Sequence, residues 1–195
     1  MNQSVINVRL LRSMAFAWLC FLLSAGALLS AEGPPPSEDQ VKAAILFNLT
    51  KYVDWPAQSF ANTNSPLILG ILGEDNFGDD FRRMVEQKSI NGRRLLVRHL
   101  ASSEGAQAVH LLFISASEKK RLPEILAKLK GAPVLTVGET ETFISLGGII
   151  RLANRENRIR PEVNLAAAER AHLKISSKLL NVSDVIKSRP GERKD

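Results

Sequence analysis

The stretch from Val109 to Glu139, VHLLFISASEKKRLPEILAKLKGAPVLTVGE, decides the fold class of this chain. Residues 109–115 are nearly all apolar, which is typical of a strand that is covered on both faces. Residues 117–129 then carry apolar side chains at three- and four-residue intervals, which predicts a helix with one buried face. Residues 133–137 form a second apolar run. A strand, a helix and a strand in succession predict a parallel β-α-β unit.

The segments before this unit follow the same alternation. Residues 67–72 are an apolar run that predicts a buried strand, and a helical pattern of apolar residues follows at 77–85. The pair Asn91-Gly92 then predicts a turn into another strand at 95–98. The parallel sheet therefore extends well beyond the first unit.

A first helix is predicted at the beginning of the domain. Ser37 and Gln40 have the spacing of a capping box, and apolar residues recur behind them at helical intervals. We expect this helix to run to about Trp55, where Pro56 would stop it.

The last third of the sequence changes character. Residues 148–152 and 158–163 flank a polar turn and predict a β-hairpin with one solvated face. Pro161 lies within the second strand and cannot donate to a ladder, so that strand should be an edge or be locally broken. A short helix is expected at 141–146, and residues 164–171 are alanine-rich and helical.

The predicted architecture is thus an α/β layered domain. It has a mostly parallel central sheet flanked by helices, plus a C-terminal β-hairpin and helices. We expect residues 37–187 to form this single domain, and residues 188–195 to be a flexible tail.

Composition excludes several classes of protein. The chain has 195 residues, 45% of them hydrophobic, one cysteine and a formal charge of +6. One cysteine cannot close an intramolecular disulfide or supply a zinc site. The positive surplus is modest and spread out, without the basic stripe and interleaved aromatics of a nucleic-acid-binding protein, so no nucleic acid partner is predicted.

The N-terminus has the three parts of a secretory signal peptide. Arg9 and Arg12 precede a charge-free apolar run over residues 14–29, and small residues follow at 30–31. We assign residues 1–31 to a signal peptide, with the exact cleavage site left open and a retained anchor as the alternative. Residues 32–36 are a proline-rich linker. The only cysteine, Cys20, belongs to the leader, so the exported chain has none.

No catalytic constellation emerges from the motifs. Gly73 and Gly78 have the spacing of two phosphate-loop glycines, but Asp79 and Asp80 stand where that loop needs a lysine and a hydroxyl residue. Ser115 ends a strand without the flanking glycines of a nucleophile elbow, and is better explained as a helix cap. The three histidines lack metal-site spacing and are better explained as structural residues. We therefore predict no enzyme activity, no cofactor and no metal.

Four segments, read together, resemble the YfiR-like family of periplasmic regulatory proteins. They occur in the family's order and cover nearly the whole chain after the leader. They are VKAAILFNLTKYVDWP (41–56), LILGILGEDNFG (67–78), HLLFISASEKKRLPEIL (110–126) with APVLTVGE (132–139), and IRPEVNLAAAERAHLKISSKLLNVSDVI (159–186).

The resemblance implies a repressor of cyclic-di-GMP signalling that acts in the periplasm, with effects on biofilm and motility. Such a protein binds the periplasmic sensor domain of an inner-membrane diguanylate cyclase and holds it inactive. An outer-membrane lipoprotein can sequester it, and family members form homodimers. The founding type carries disulfides, which this chain lacks once the leader is removed, so its regulation should not depend on disulfides.

The resemblance also suggests where the partner binds. It places contacts in the C-terminal segment, on Glu169 and Ile175, and Lys178 could pair with the partner as well. The alternatives are that Ile175 is simply core and that the two charged residues are only solvated.

A second candidate patch contains four arginines of the predicted hairpin. They could receive an anionic ligand or an acidic partner surface, although a solvated hairpin face explains them equally well. These residues are Arg151, Arg155, Arg158 and Arg160. The alternative function is a periplasmic small-molecule binding module that serves a sensor kinase or an uptake system, because an α/β sheet with loops at its strand ends suits either use.

Overall fold

The computed structural model describes residues 36–74, 77–156 and 158–186. The expected signal peptide, all but the last residue of the linker, and the expected tail lie outside the described residues. The chain divides into two units, Met1–Pro36 and Ser37–Asp195. All of the described helices and strands belong to the second unit.

Strands and helices alternate along this unit. The described strands are β1 (Val53–Asp54), β2 (Leu67–Leu72), β3 (Ser89–Ile90), β4 (Arg93–Leu100), β5 (Leu111–Ile114), β6 (Leu135–Gly138), β7 (Ile150–Arg155), β8 (Arg158–Asn164), β9 (Lys174–Ile175) and β10 (Asp184–Ile186). The described α-helices are α1 (Glu38–Leu49), α2 (Gly78–Glu86), α3 (Leu122–Lys128), α4 (Leu165–Arg170) and α5 (Ser177–Leu180).

Eight of the described strands form one sheet in the order β10-β8-β7-β6-β5-β2-β4-β3. Neighbouring strands are parallel except in the pairs β3–β4 and β7–β8, which are antiparallel hairpins. Strands β1 and β9 form a separate antiparallel pair. The predicted α/β class with a mostly parallel central sheet is therefore confirmed.

The sheet is covered on both faces. One apolar cluster joins α1, α2 and α4 to the sheet, with Leu46 and Phe113 among its buried members. The other joins α3 to the opposite face, with Leu112 and Ile125 among its members. All residues of β2, β5 and β6 are buried, which confirms the expectation drawn from their unbroken apolar runs.

The turn after β2 requires glycine. Gly73 has a φ of 91°, and a Cβ at this position would lie 2.5 Å from Oγ of Ser117. That hydroxyl instead accepts a hydrogen bond from the N–H of Glu74 at 2.9 Å. Ser115, as expected, is a cap: its Oγ accepts from the N–H of Ser117. The carboxyl ends of β2 and β5 are thus joined by a hydrogen bond.

The first helix is shorter than the sequence predicts. Its capping box between Ser37 and Gln40 is present, but α1 ends at Leu49 rather than near Trp55. Residues 53–54 form β1 instead, paired with residues 174–175. The pairing partner lies far along the chain, so helical periodicity alone could not reveal it.

Two other helix predictions were partly wrong. Residues 141–147 form successive turns, in which the N–H of Phe143 donates to the carbonyl of Thr140, and not the expected helix. The helix expected over 117–129 is a short 3-10 turn at 116–118 followed by α3. Pro123 explains the late start, because proline suits the first turn of a helix and not its interior.

Pro161 is accommodated without breaking β8. It stands opposite Leu152 of β7, and the N–H of Asn164 donates to the carbonyl of Ile149. Main-chain groups alternate between the two sides of a strand, so the Pro161 nitrogen faces away from β7. On that side β10 begins to pair only at Glu162. The expectation that this strand would be an edge or be locally broken was therefore wrong: β8 is continuous and lies between β10 and β7, and Pro161 precedes the residues that pair with β10.

Among the described residues, no helix is long and apolar enough to cross a membrane.

Candidate partner-binding surface

The C-terminal segment is shaped by local hydrogen bonds. The side chain of Asn164 accepts from the N–H of Ala167 at 3.1 Å and so begins α4. His172, with a φ of 57°, reverses the chain after the helix, and the N–H of Leu173 donates back to the carbonyl of Ala168. The reversal directs the chain into β9.

Strand β9 anchors this segment to the beginning of the domain. Ile175 lies opposite Val53 of β1, and the N–H of Ser176 donates to the carbonyl of Tyr52 at 2.9 Å. Val53 is buried, whereas Ile175 is half-buried and packs against the apolar cluster that contains α1. Ile175 therefore contributes to the core and also presents part of its side chain at the surface.

The three predicted partner-binding residues lie on consecutive elements. Glu169 is exposed on α4, which contacts β9, and Lys178 is exposed on α5, which begins directly after β9. Within the described part of the chain, neither charged residue forms an ion pair with another side chain. We call the surface formed by Glu169, Ile175 and Lys178 the C-terminal surface.

A cleft of about 220 Å³ lies next to β1, between β1 and the β3–β4 hairpin. Asp54 and Arg93 give it opposite charges, and Phe60 gives it an aromatic wall. The guanidinium of Arg93 lies 3.8 Å from the Phe60 ring centroid, and its Nη1 donates to the carbonyls of Asn62 and Ser65. Such a lining could hold a small polar molecule.

Sequence reasoning missed this cleft. The Asn91-Gly92 pair does predict the turn that joins the two strands of this wall, but the short strand before it was not predicted. Nothing in the local pattern shows that β1 would lie beside that hairpin, because the helix was expected to continue through residues 53–54.

His110 behind the cleft is a structural histidine, as expected. Its Nδ1 accepts from the N–H of Ile68 at 3.0 Å, and its Nε2 lies 3.1 Å from the carbonyl oxygen of Ser59, so this nitrogen carries the proton. Phe60 stacks on the ring, and Nε1 of Trp55 donates to the His110 carbonyl. Burial lowers the pKa of His110 and keeps the ring neutral.

The four arginines of the hairpin fall into two groups. Arg151 and Arg155 both pair with Glu162, at 2.7 Å and 2.5 Å, and the side chain of Glu162 is only 5% exposed. The hydrogen bond from Arg151 holds the pKa of Glu162 below its usual range, although burial opposes it. Arg158 and Arg160 are exposed. Two of the four arginines thus share one buried carboxylate within the protein.

A second ion-pair network lies at the carboxyl end of β6. Nζ of Lys42 on α1 lies 2.6 Å from Oε2 of Glu139, and 2.8 Å from a carboxylate oxygen of Glu38. The other oxygen of Glu139 accepts from the N–H of Ala116, which follows β5. These groups satisfy one another and join α1 to two strand ends. The described residues contain no group of three or more histidine, cysteine, aspartate or glutamate side chains that could hold a metal.

Comparison with protein families gives one match that covers most of the chain. The model of the family described as YfiR/HmsC-like matches residues 39–184, which include nearly all of α1 and of the central sheet, and the whole C-terminal surface. The resemblance inferred from the four sequence segments is therefore confirmed.

Comparison with solved structures shows likeness at low sequence identity. An ABC domain in complex with L-Trp from Streptococcus pneumonia has a TM-score of 0.52 and 10% identity, over 74% of this chain and 60% of that one. A conserved domain protein from Vibrio cholerae O1 biovar eltor has a TM-score of 0.44 and 11% identity, over 62% of this chain and 55% of that one. The first likeness extends to the fold alone, and this chain spans about 60% of that structure's length.

Proposed function

We infer the function of this chain from the YfiR/HmsC-like family, to which it belongs, and whose members are regulators of periplasmic type and generally not enzymes. We propose that it represses an inner-membrane diguanylate cyclase by binding the cyclase's periplasmic sensor domain, and so lowers cyclic-di-GMP. Residues 1–31 would direct its export, and the exported chain would catalyse nothing.

The C-terminal surface is the observation that supports this proposal. Ile175 offers a half-buried aliphatic side chain on the β1–β9 pair, and Glu169 and Lys178 supply one negative and one positive charge on the neighbouring helices. An apolar centre with charges beside it is the usual anatomy of a protein interface.

The mechanism would be a shift of populations. A regulator that binds the inactive conformation of a sensor domain more tightly than the active one stabilises the inactive state by that difference in affinity. Release would follow when another protein competes for the regulator, which is the role proposed for an outer-membrane lipoprotein. A homodimer would present two such surfaces.

Charge reversal on the C-terminal surface tests the proposal. Glu169→Lys and Lys178→Glu change exposed residues, so the fold should survive, while binding of the sensor domain should weaken about tenfold or more if each residue contributes about 1.4 kcal/mol. Glu124→Lys is the matched control, because Glu124 is an exposed helical residue on α3, away from this segment.

The cellular measurement is the cyclic-di-GMP level. Deletion of the gene should raise it, and the charge-reversed chains should fail to restore it, while the control should succeed. Unchanged cyclic-di-GMP after deletion, together with no capture of a membrane sensor from solubilised membranes, would refute the proposal.

The cleft supports a second candidate, a periplasmic small-molecule binding module serving a sensor kinase or an uptake system. Its opposite charges and aromatic wall suit a small polar ligand. Native mass spectrometry of the chain purified from its periplasm would distinguish the two. A retained small molecule that is lost on Arg93→Ala would favour this candidate, and a chain without one that still captures the cyclase would favour the first.

A further inference from the structure

The imidazole of His110 fastens a short turn to the central sheet. Residues 57–60, which we call the Phe60 turn, form a 3-10 turn with local main-chain hydrogen bonds. Nε2 of His110 donates to the carbonyl of Ser59 at 3.1 Å, and Phe60 stacks on the imidazole with 4.4 Å between the ring centroids. On the side of the sheet, Nδ1 accepts from the N–H of Ile68 on β2 at 3.0 Å. One ring thus connects the turn to the sheet.

This arrangement requires a neutral ring. Because Nε2 already carries a proton, a second proton can bind only at Nδ1. Nδ1 would then be a donor, and it would face the N–H of Ile68, which is a donor as well. The protonated ring therefore cannot keep its place between Ile68 and Ser59. A ring that moves also loses its stacking contact with Phe60.

The charges around His110 also disfavour the protonated ring. Burial lowers the pKa of His110 despite the hydrogen bond to Ser59, and the positive charge of Arg93 on β4 lowers it further. Strands β2, β5 and β6 and the Phe60 turn contain no charged residue, and Asp54 of β1 is exposed to solvent. The elements packed around the ring therefore offer it no buried carboxylate.

The Phe60 turn has a fixed point on each side. Before the turn, Nε1 of Trp55 donates to the main-chain carbonyl of His110, a bond that does not use the imidazole. After the turn, Nη1 of Arg93 donates to the carbonyls of Asn62 and Ser65. The turn can therefore leave the imidazole while the chain on both sides stays in place.

We propose that His110 is an acid-sensitive latch for the Phe60 turn. The neutral ring holds the turn closed, and uptake of one proton at Nδ1 releases the turn while the central sheet stays folded. Ala57 and Phe60 line the cleft, so release would open the cleft on that side. Oγ of Ser59, which is buried without a hydrogen-bond partner among the described residues, would gain hydrogen bonds to water. The latch is independent of the proposed cyclase repression.

Hydrogen exchange at the Ile68 amide tests the latch, because this N–H loses its acceptor when the ring moves away. Protection factors of the exported chain would be measured by NMR from about pH 7.5 to about pH 5.5, with the intrinsic exchange rate divided out. Below about pH 6.5 only the released form takes up the proton, so the protection of Ile68 should fall about tenfold per pH unit until the latched ring is itself protonated. The protection of the β5 amides should fall far less. Protection of Ile68 that does not change with pH, or that falls in step with β5 as in global unfolding, would overturn the proposal.

Substitutions distinguish His110 from the other histidines. His110→Asn keeps an acceptor for the N–H of Ile68 but has no group that titrates in this pH range, so the fall in Ile68 protection should disappear. His172→Asn is the matched control, because His172 is exposed and its φ of 57° suits asparagine. This control should keep the tenfold fall. A fall that survives His110→Asn, or that is lost in His172→Asn, would refute the assignment to His110.

Discussion

The Phe143 ring lies between Gly138 and Gly148, and Gly148→Ala tests this close packing. The ring is fully buried. A Cβ at Gly148 would overlap two ring carbons well inside van der Waals contact and would lie 2.8 Å from the Phe143 carbonyl oxygen. That oxygen belongs to the main chain and accepts from the N–H of Gly148, so it cannot simply rotate away. Either the ring or the turn must move.

The cost has an upper and a lower bound. Complete expulsion of the ring would cost about as much as its truncation to alanine, about 3–5 kcal/mol, and ordinary overpacking costs about 1–3 kcal/mol. Gly148 does not have a positive φ, so alanine recovers about 0.5 kcal/mol by restricting the unfolded chain. We expect Gly148→Ala to lower the free energy of unfolding by about 2–3 kcal/mol.

Urea unfolding followed by circular dichroism measures this loss, with two controls. Gly105→Ala should change stability by less than about 0.5 kcal/mol, because its Cβ would meet only Leu100 at an ordinary 3.5 Å. Phe143→Leu should make Gly148→Ala less costly, since the smaller side chain leaves room. A loss below about 1 kcal/mol for Gly148→Ala, or strict additivity with Phe143→Leu, would refute this account of the packing.

Three further predictions concern stability and pH. The pKa of His110 is lowered in the folded state, so only the unfolded chain takes up a proton at this residue just below about pH 6.5. The urea midpoint of the unmodified chain should therefore fall with acidification. The midpoint of His110→Asn should fall less steeply. Glu162→Gln removes the carboxylate that Arg151 and Arg155 share and should cost about 2 kcal/mol at neutral pH. The difference between this variant and the unmodified chain should shrink as pH drops through the lowered pKa of Glu162, and a constant difference would contradict the pairing. Ser37→Ala removes the capping box and should cost about 1 kcal/mol in the same assay, with no change in the slope of the transition.

The central sheet could be predicted because its signals are local. The unbroken apolar runs of β2, β5 and β6 and the helical pattern between them lie within short windows of sequence. The Asn91-Gly92 turn is also a local signal, because Asn and Gly are the residues that adopt positive φ most readily. Both have positive φ in the structure.

The small sheet and the cleft could not be predicted because their contacts are distant. Val53 continues the helical spacing of α1, yet it pairs with Ile175. Tertiary pairing overrides the local preference there, and the wall of the cleft is created by that same pairing.

The candidate site shows the same division. The sequence could identify Glu169 and Lys178 as polar helical residues, and they are exposed. It could not decide whether Ile175 belongs to the core or to the surface. In the structure this side chain is half-buried and packs against the apolar cluster that contains α1. The pairing of Arg151 with Glu162 depends on the hairpin register, which places the two directly opposite each other.

The pairing of β1 with β9 also bears on the order of events during biosynthesis. The two strands lie at opposite ends of the described chain, so their contact closes a very long loop and forms only after residues 174–175 have been made. Strand β8 gains its outer neighbour even later, from residues 184–186. A nascent chain that still lacks these residues cannot complete its fold.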